Sequence, residues 1–457
     1  MYQRLVCLLV LALLMPCGTR RAQAQTQQTP PPNVVLILAD DLGYGDVSYM
    51  GHAEDIQTPS IDALAGRGVT FDRFYANCPV CSPTRAAMLA GRYQELVGVP
   101  GVIRQLPEMN WGYLLPSAVL LPARLKEAGY HSALIGKWHL GYEPPNTPNA
   151  RGFDLFHGFL GDMMDDYNTH LRGGENWMRH NNETIDPPGH ATDLFSQWAA
   201  DYIEDRADHD APFFLFLSYN APHVPIQPPA AWVDRVKQRQ PGITDQRAQL
   251  VALIEHMDQG IGQVVEALKE TDQIDNTLII FTSDNGGQLH VGANCGPLRG
   301  GKGALYEGGV RVPMLAVWPG VIAPGSTASA QAMTMDLFTT ICDAAGVEPG
   351  EHVDGVSLMP LLSGELADNA WPQRDLFWIR REGWSYMGQE VRAMRRGPWK
   401  LVQNSPFDPY ELFNLDDDPL EENDLSQERR EVFGEMSADL QLHMQRSGSV
   451  PWQKPDQ

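Results

Sequence analysis

The sequence predicts an α/β fold: a mainly parallel central sheet covered by helices on both faces, then a smaller C-terminal α+β subdomain containing an antiparallel sheet. Three observations predict it. Four continuous apolar runs, at residues 33–39, 130–136, 212–219 and 277–283, have the length and β-branching of strands buried on both faces. Helical patterns separate them. Beyond about Ala370 the pattern changes to aromatic and Arg-rich segments that alternate with turns.

The bulk composition bounds the function. The chain has 457 residues and is 43% apolar, enough for one large domain plus a smaller one, or two of ordinary size. Lys and Arg total 34 against 57 Asp and Glu, a net charge of −23. That balance argues against nucleic acid as a partner. It also argues against wrapping a long polyanion unless positive charge is concentrated locally.

Residues 1–24 read as a signal peptide: Arg4, an apolar run from Leu5 to Leu14, and a small-x-small site at Ala22-Gln23-Ala24. The run is too short to remain as a membrane span, and no later stretch is long and apolar enough to be one. The expected location is therefore exported, periplasmic or secreted, without stable membrane insertion. Leu14-Met15-Pro16-Cys17 also suggests a lipoprotein site, which Pro before the cysteine fits poorly. Residues 25–32 form a Gln/Thr/Pro linker with nothing to bury.

The first buried run, Asn33 to Ala39, ends in Asp40-Asp41. Adjacent carboxylates at the end of a buried strand repel and are costly to desolvate. A hard divalent cation relieves both problems; a solvated turn with an Asp cap is the alternative. Thr58-Pro59 starts a helix. Cys81-Ser82-Pro83-Thr84-Arg85 then leads into residues of good helix propensity. Pro is favoured at the first helical position, which puts Cys81 at or near a helix N-terminus. That end suits an anion and would lower a thiol pKa. On its own the segment admits a reactive thiol, a disulfide with Cys78, or an inert small residue. A redox role for Cys78-Pro79-Val80-Cys81 is disfavoured by its context.

The second run leads into Lys137-Trp138-His139. If the chain stays extended, Lys137 and His139 share a face and suit an oxyanion; a surface Lys beside a packed His is the alternative. Residues 144–189 read as a long irregular loop, of the kind that carries recognition. Its candidates are Asp162, Asp165, Asp166, His170, Arg172, Trp177 and Arg179. A helix follows from about Thr192 to Arg206. The third run gives way to His223, set between Pro222 and Pro225 on a stiffened loop. Thr244 to Lys269 is a long amphipathic helix. The fourth run ends in Asp284-Asn285, a second pair of oxygen ligands. A glycine-rich loop from Gly292 to Gly309 holds Lys302, either a flexible surface Lys or a charge at an anion site. Residues 371–457 give the small antiparallel sheet and a terminal helix from about Gln427 to Gln445.

Asp40, Asp41, Lys137, His139, His223, Asp284 and Asn285 all follow buried apolar runs. Chance would scatter polar groups to both strand ends. In open parallel sheets ligands bind beyond the carboxyl ends, so one shared site is expected.

Cys81-x-Pro-x-Arg85 followed by Leu89-Ala90-Gly91-Arg92 resembles the signature of the type I sulfatases, of the alkaline phosphatase superfamily. The resemblance runs from Asn33 to about Leu425, and implies an alkaline phosphatase-like catalytic domain over 33–370. It implies that Cys81 is oxidised to formylglycine by a formylglycine-generating enzyme. Asp40, Asp41, Asp284 and Asn285, with position 81, match the ligands of one divalent cation, normally Ca²⁺. Arg85, Lys137, His139, His223 and Lys302 match the family's remaining catalytic positions. The implied reaction is hydrolysis of a sulfate monoester.

Export, aromatics and the long loop point to a carbohydrate sulfate, of galactose or N-acetylgalactosamine type from a glycosaminoglycan or algal polymer, with aryl sulfates as surrogates. Two alternatives stand beside this. One is a phosphate or phosphonate monoester hydrolase of the same superfamily. The other is a non-catalytic sugar-binding protein with Cys81 unconverted.

Overall fold

Leu36, with a side chain too apolar for either water-facing side of a sheet, sits in the middle of a strand with no exposed face. The computed structural model describes residues 31–106, 109–382 and 389–454. The leader at 1–24 and most of the linker at 25–32 lie outside the described residues.

Strand Asn33–Ala39 is central in a ten-stranded sheet. Thr277–Ser283 flanks it on one side; Phe213–Ser218, His131–Lys137 and Leu155–Phe159 follow in turn on the other. These five run parallel. Met314–Val317 and Met178–His180 add antiparallel neighbours at either side, and Val69–Phe71, Ser326–Ala328 and Glu183–Thr184 complete the sheet. The sheet is therefore mainly parallel, as its apolar runs predict.

Alternate residues of the central strand feed two separate cores. Val34, Leu36 and Leu38 pack with Met88, Leu89, Leu125 and Phe338 on one face. Val35, Ile37 and Ala39 pack with Leu64, Phe195, Ile203 and Ile254 on the other. Helices Cys81–Ala90, Leu121–Glu127 and Asp336–Ala344 cover the first face. Helices Pro59–Arg67, Ala191–Arg206 and Asp245–Glu270 cover the second. The apolar stripe of the long helix, from Leu250 to Leu268, is buried throughout.

Two expectations are corrected. Residues 144–189 are not irregular throughout: Leu155–Phe159 extends the parallel sheet. Its Gly158 lies against Gly136, where an added Cβ would stand 2.0 Å from the Gly136 carbonyl oxygen. Bare backbone meets bare backbone here, so the strand carries a glycine where an apolar side chain would have advertised it. Pro83 is also the third residue of its helix, not the first; Cys81 is the first helical residue and Val80 the N-cap.

After residue 370, Leu376–Glu382, Gln389–Arg396, Trp399–Gln403 and Glu411–Asn414 form a sequential antiparallel sheet. Helix Arg430–Ser447 seats Met436 and Leu440 on one of its faces. The other face packs on Tyr75, Leu305 and Val310, which ties this sheet to the glycine-rich loop. No helix among the described residues is long and apolar enough to cross a membrane.

Candidate active site

The register of the parallel strands brings their carboxyl ends level. Ala39 pairs with Ser283, Leu38 with Ser218, and Ser218 with Gly136. The chain leaves each strand still hydrogen-bonded to its neighbour: Asp284 N–H donates to Ala39 O at 3.1 Å, and Asp40 N–H to Ala221 O at 3.1 Å. Asp40, Asp41, Lys137, Asp284 and Asn285 therefore emerge at one edge. Asp41 has φ 68°, a left-handed conformation that Asp tolerates better than most residues. That turn aims its N–H at Asp284 Oδ1, 3.2 Å away.

Cys81 reaches the same edge from the first turn of its helix, with Sγ 4.0 Å from Asp41 Oδ1. Arg85 is one turn later, on the same face. Its Nε and Nη2 both donate to Asp284 Oδ2, at 2.9 and 2.7 Å. Its Nη1 donates to Ser218 Oγ at 2.6 Å and to Lys137 O at 3.3 Å. Lys137 Nζ binds Asp40 Oδ2, which also faces Arg85 Nη2 at 3.7 Å. Lys302 Nζ binds Asp41 Oδ2 at 2.7 Å, and His223 Nε2 lies 3.6 Å from that oxygen. Every predicted site residue but His139 thus joins one continuous cluster of contacts. His139 adjoins it through Trp138 and the Lys137 backbone.

These charges are buried. Asp40, Arg85, Lys137, Asp284 and Asn285 are fully inaccessible, while the Lys302 side chain keeps 16% exposure. Buried ions persist only when paired. Burial pushes Asp40 upward, but Lys137, His223, Arg85 and Lys302 outweigh it and hold the carboxyl well below its ordinary range. Asp284 moves the other way, to about 7, because burial and the neighbouring Asp40 outweigh Arg85 and Lys137.

The oxygens fit a hard cation. Asp40 Oδ1 and Asn285 Oδ1 are buried without a hydrogen-bond partner, a costly arrangement for protein alone. A hard cation would relieve such oxygens. Asp40, Asp41, Cys81 and His223 each place a donor atom within 4.8 Å of the others. Asn285 Nδ2 donates to Asp41 Oδ1 at 2.8 Å, which turns its own oxygen free. Carboxylate and amide oxygens suit Ca²⁺ or Mg²⁺ better than a soft metal.

Cys81 departs from one expectation. A helix N-terminus lowers a thiol pKa, yet burial, aided by Asp40, holds this one well above its ordinary value against Lys302 and Lys137. Cys78 is free too, and burial raises it. The two form no disulfide, and neither is a ready thiolate nucleophile.

His139, at φ 62°, puts Nε2 2.9 Å from Ile103 O. A carbonyl only accepts, so Nε2 carries the hydrogen and Nδ1 the lone pair. Nδ1 is buried without a partner. Burial, then Lys137 and Arg85, keep this ring neutral by pulling its pKa well below the usual value. By the same logic His223 Nδ1 donates to Val224 O at 2.8 Å, leaving Nε2 toward Asp41. Burial and then Lys302 lower the His223 pKa.

Three supporting residues escape sequence reasoning. Ser218 anchors Arg85, and only its place at a strand end hints at it. Tyr167 Oη lies 2.8 and 2.9 Å from the Asn220 and His223 carbonyls and fixes the His223 loop. Ser82 Oγ accepts from Ile103 N–H at 3.1 Å, so the helix of Cys81 also places the carbonyl that orients His139. Most candidates in the 144–189 region hold that region together. Arg172 joins Asp162 and Asp165, Asp166 accepts from two backbone N–H groups, and His170 reaches Gly189 O. Arg179 donates to backbone carbonyls and overlies Trp177.

Known proteins resemble this chain in sequence and fold. The Sulfatase family model matches residues 32–347, and the N-sulphoglucosamine sulphohydrolase C-terminal model matches 301–447. The chain is 34% identical to human N-acetylgalactosamine-6-sulfatase over 373 residues, covering 77% of this chain and 68% of that one. It is 33% identical to human arylsulfatase A over 410 residues, covering 81% and 74%. The crystal structure of Ps i-CgsB in complex with k-i-k-neocarrahexaose superimposes with a TM-score of 0.84 at 32% identity, covering 93% of this chain and 95% of that one. The chain belongs to the sulfatase family, within the alkaline phosphatase superfamily, and is a sulfuric ester hydrolase.

Proposed function

We propose that the protein is an exported sulfatase that removes sulfate from a carbohydrate of galactose or N-acetylgalactosamine type, in a glycosaminoglycan or algal polymer. In this reading residues 1–24 are removed, 25–32 link, 33–370 form the catalytic domain and 371–457 the C-terminal subdomain. A formylglycine-generating enzyme converts Cys81. The observation that carries the proposal is that Cys81 shares a buried cluster with Asp40, Asp41 and His223, to which Asp284 and Asn285 are joined, inside a frame of Arg85, Lys137 and Lys302. The N-acetylgalactosamine-6-sulfatase relative and the oligosaccharide-bound structural neighbour support the sugar class.

Asp40, Asp41, Asp284, Asn285 and the side chain at 81 would hold one Ca²⁺, which would supply a Lewis acid for sulfate oxygens, and formylglycine at 81 would supply an oxygen nucleophile toward sulfur. The chain's own groups do the rest. Arg85, Lys137 and Lys302 bind and orient the sulfate and balance its charge. His223 Nε2 holds a proton for the leaving alcohol, with Lys302 beside it; the anionic ester favours that protonated ring. Neutral His139 would accept a proton at its free Nδ1. A general acid contributes about 10²–10⁴-fold, short of the roughly 10⁶-fold or more typical of enzymes. Fixed charge and positioning must carry the remainder.

The test is sulfate release by protein co-produced with a formylglycine-generating enzyme, using sulfated oligosaccharides and an aryl sulfate beside the matching phosphate esters. Sulfate released from galactose-type sugars is the expected result. Faster phosphate release, or sugar binding without turnover, contradicts it.

A further inference from the structure

A cavity of about 670 Å³ opens beside His139, and none of the residues discussed as catalytic lines it. Its walls include Ile103, Arg104, Tyr113, Leu140, Tyr142 and Trp177. Two of these are welded to the catalytic cluster. Leu140 follows His139 in the chain. Ile103 accepts from His139 Nε2 through its carbonyl and donates to Ser82, beside Cys81, through its N–H. The cavity wall and the catalytic edge are thus the same backbone.

We propose that this cavity is the subsite for the sugar adjoining the sulfate ester under attack, and that Arg104 selects substrates bearing a second anionic substituent, a sulfate ester or a carboxylate. The proposal rests on the hydrolase reading above and adds a specificity determinant to it.

The size matches sites that take small organic ligands, roughly 300–1,000 Å³. The chemistry matches a sugar, which offers C–H faces and hydroxyl edges together. Tyr142 and Trp177 meet edge to face with centroids 4.8 Å apart, giving rigid aromatic surface. Trp177 Nε1 and the side-chain oxygen of the wall residue Asn146 are buried without hydrogen-bond partners.

The charge singles out Arg104. Of the two cations in the lining, Lys454 is in close contact with Glu143. Among the described residues, the Arg104 side chain makes only a long ion pair, Nη2 to Glu382 Oε1 at 3.5 Å, at 20% side-chain exposure. Glu382 has nearer partners in Arg380 and the Val102 N–H, the latter at 3.0 Å. Arg104 can therefore turn its fork to an incoming anion without leaving Glu382 unpaired. On a chain of net charge −23, a local cation is needed to admit a substrate with more than one negative group. Guanidinium presents paired donors to sulfate or carboxylate alike.

The experiment compares three disaccharides sharing one scissile sulfate, whose second sugar is neutral, sulfated or a uronate, with an aryl sulfate as reference. Wild type is expected to favour both charged disaccharides over the neutral one, through KM. Arg104→Gln is expected to erase that preference by about tenfold or more, and Trp177→Ala to weaken all three disaccharides relative to the aryl sulfate. The sulfate and uronate arms separate the two sources of charge. Calorimetric binding of the same charged disaccharides lacking the scissile sulfate gives a readout independent of turnover, and Arg104→Gln is expected to weaken it. An unchanged preference and unchanged binding in folded Arg104→Gln, checked by its melting curve, overturn the proposal. No turnover of any sulfate ester by matured wild type contradicts the hydrolase reading, while binding still decides the role of Arg104.

Discussion

Arg85 and Asp284 meet through two donors on one oxygen: Nε at 2.9 Å and Nη2 at 2.7 Å from Oδ2, with both side chains fully buried. The pair joins the helix of Cys81 to the end of strand Thr277–Ser283. It leaves Asp284 Oδ1 for the Asp41 N–H, so one arginine and one backbone N–H set the orientation of this carboxylate, a proposed cation ligand.

Arg85→Leu leaves Asp284 and Asp40 without that counter-charge. Breaking a buried pair on one side costs about 3–5 kcal/mol. Urea unfolding is expected to show a loss of that order, with sulfatase activity abolished. Arg85→Lys keeps the charge but loses the fork, so activity is expected to fall further than stability. A fully active Arg85→Lys enzyme would show that the fork is dispensable.

Calcium is expected to stabilise the protein by binding the native oxygens. At a hundred times Kd the gain is about 2.7 kcal/mol. Thermal melts with chelator and with added Ca²⁺ measure it. Asp40→Asn removes a ligand charge and is expected to shrink the shift. Equal shifts in wild type and Asp40→Asn contradict the proposed ligand set.

Acid should weaken the fold through buried neutral histidines. Burial lowers His190 and His157 to about 4 from an ordinary 6.5. A ring with a depressed native pKa favours the neutral folded form, while the unfolded chain takes up protons first. This contribution is present above pH 6.5 and is lost as pH falls toward 4. His190 Nδ1 accepts from Thr192 N–H as a helix cap. His190→Asn keeps a capping acceptor and cannot titrate. Its unfolding free energy should fall less steeply between pH 7 and pH 5 than wild type's, by on the order of 2 kcal/mol. Parallel slopes assign the pH dependence to other groups.

Gly158→Ala tests the strand that sequence reading missed. The added methyl meets Gly136 O at 2.0 Å, and backbone cannot yield as a side chain can. A loss of at least about 2 kcal/mol is expected. Because Gly136 precedes Lys137, activity should fall with it. Wild-type stability in this variant contradicts the Gly136–Gly158 packing.

The parts of the fold legible in the sequence were those with strong, uniform chemistry. Runs such as Val34 to Leu38 are apolar on both faces and have few other homes than a buried parallel strand. The polar residues after them were legible for the same reason: the apolar run ends abruptly where Asp40 and Asp284 begin. Leu155–Phe159 was not legible, because His157 and Gly158 break the apolar pattern for packing reasons visible only in three dimensions. Ser218, Tyr167 and Ile103 support the site through one hydroxyl or one carbonyl each, groups too common to stand out. The Cys81 thiol departs from the helix-end expectation because burial and Asp40 raise its pKa against Lys302 and Lys137.

Mass spectrometry of the peptide spanning position 81, taken from protein that is actively releasing sulfate, bears on all of this at once. The expected spectrum shows the aldehyde, or its hydrate, in proportion to activity. An intact thiol at full activity would mean that another group performs the attack and that the cluster around Cys81 serves some other purpose.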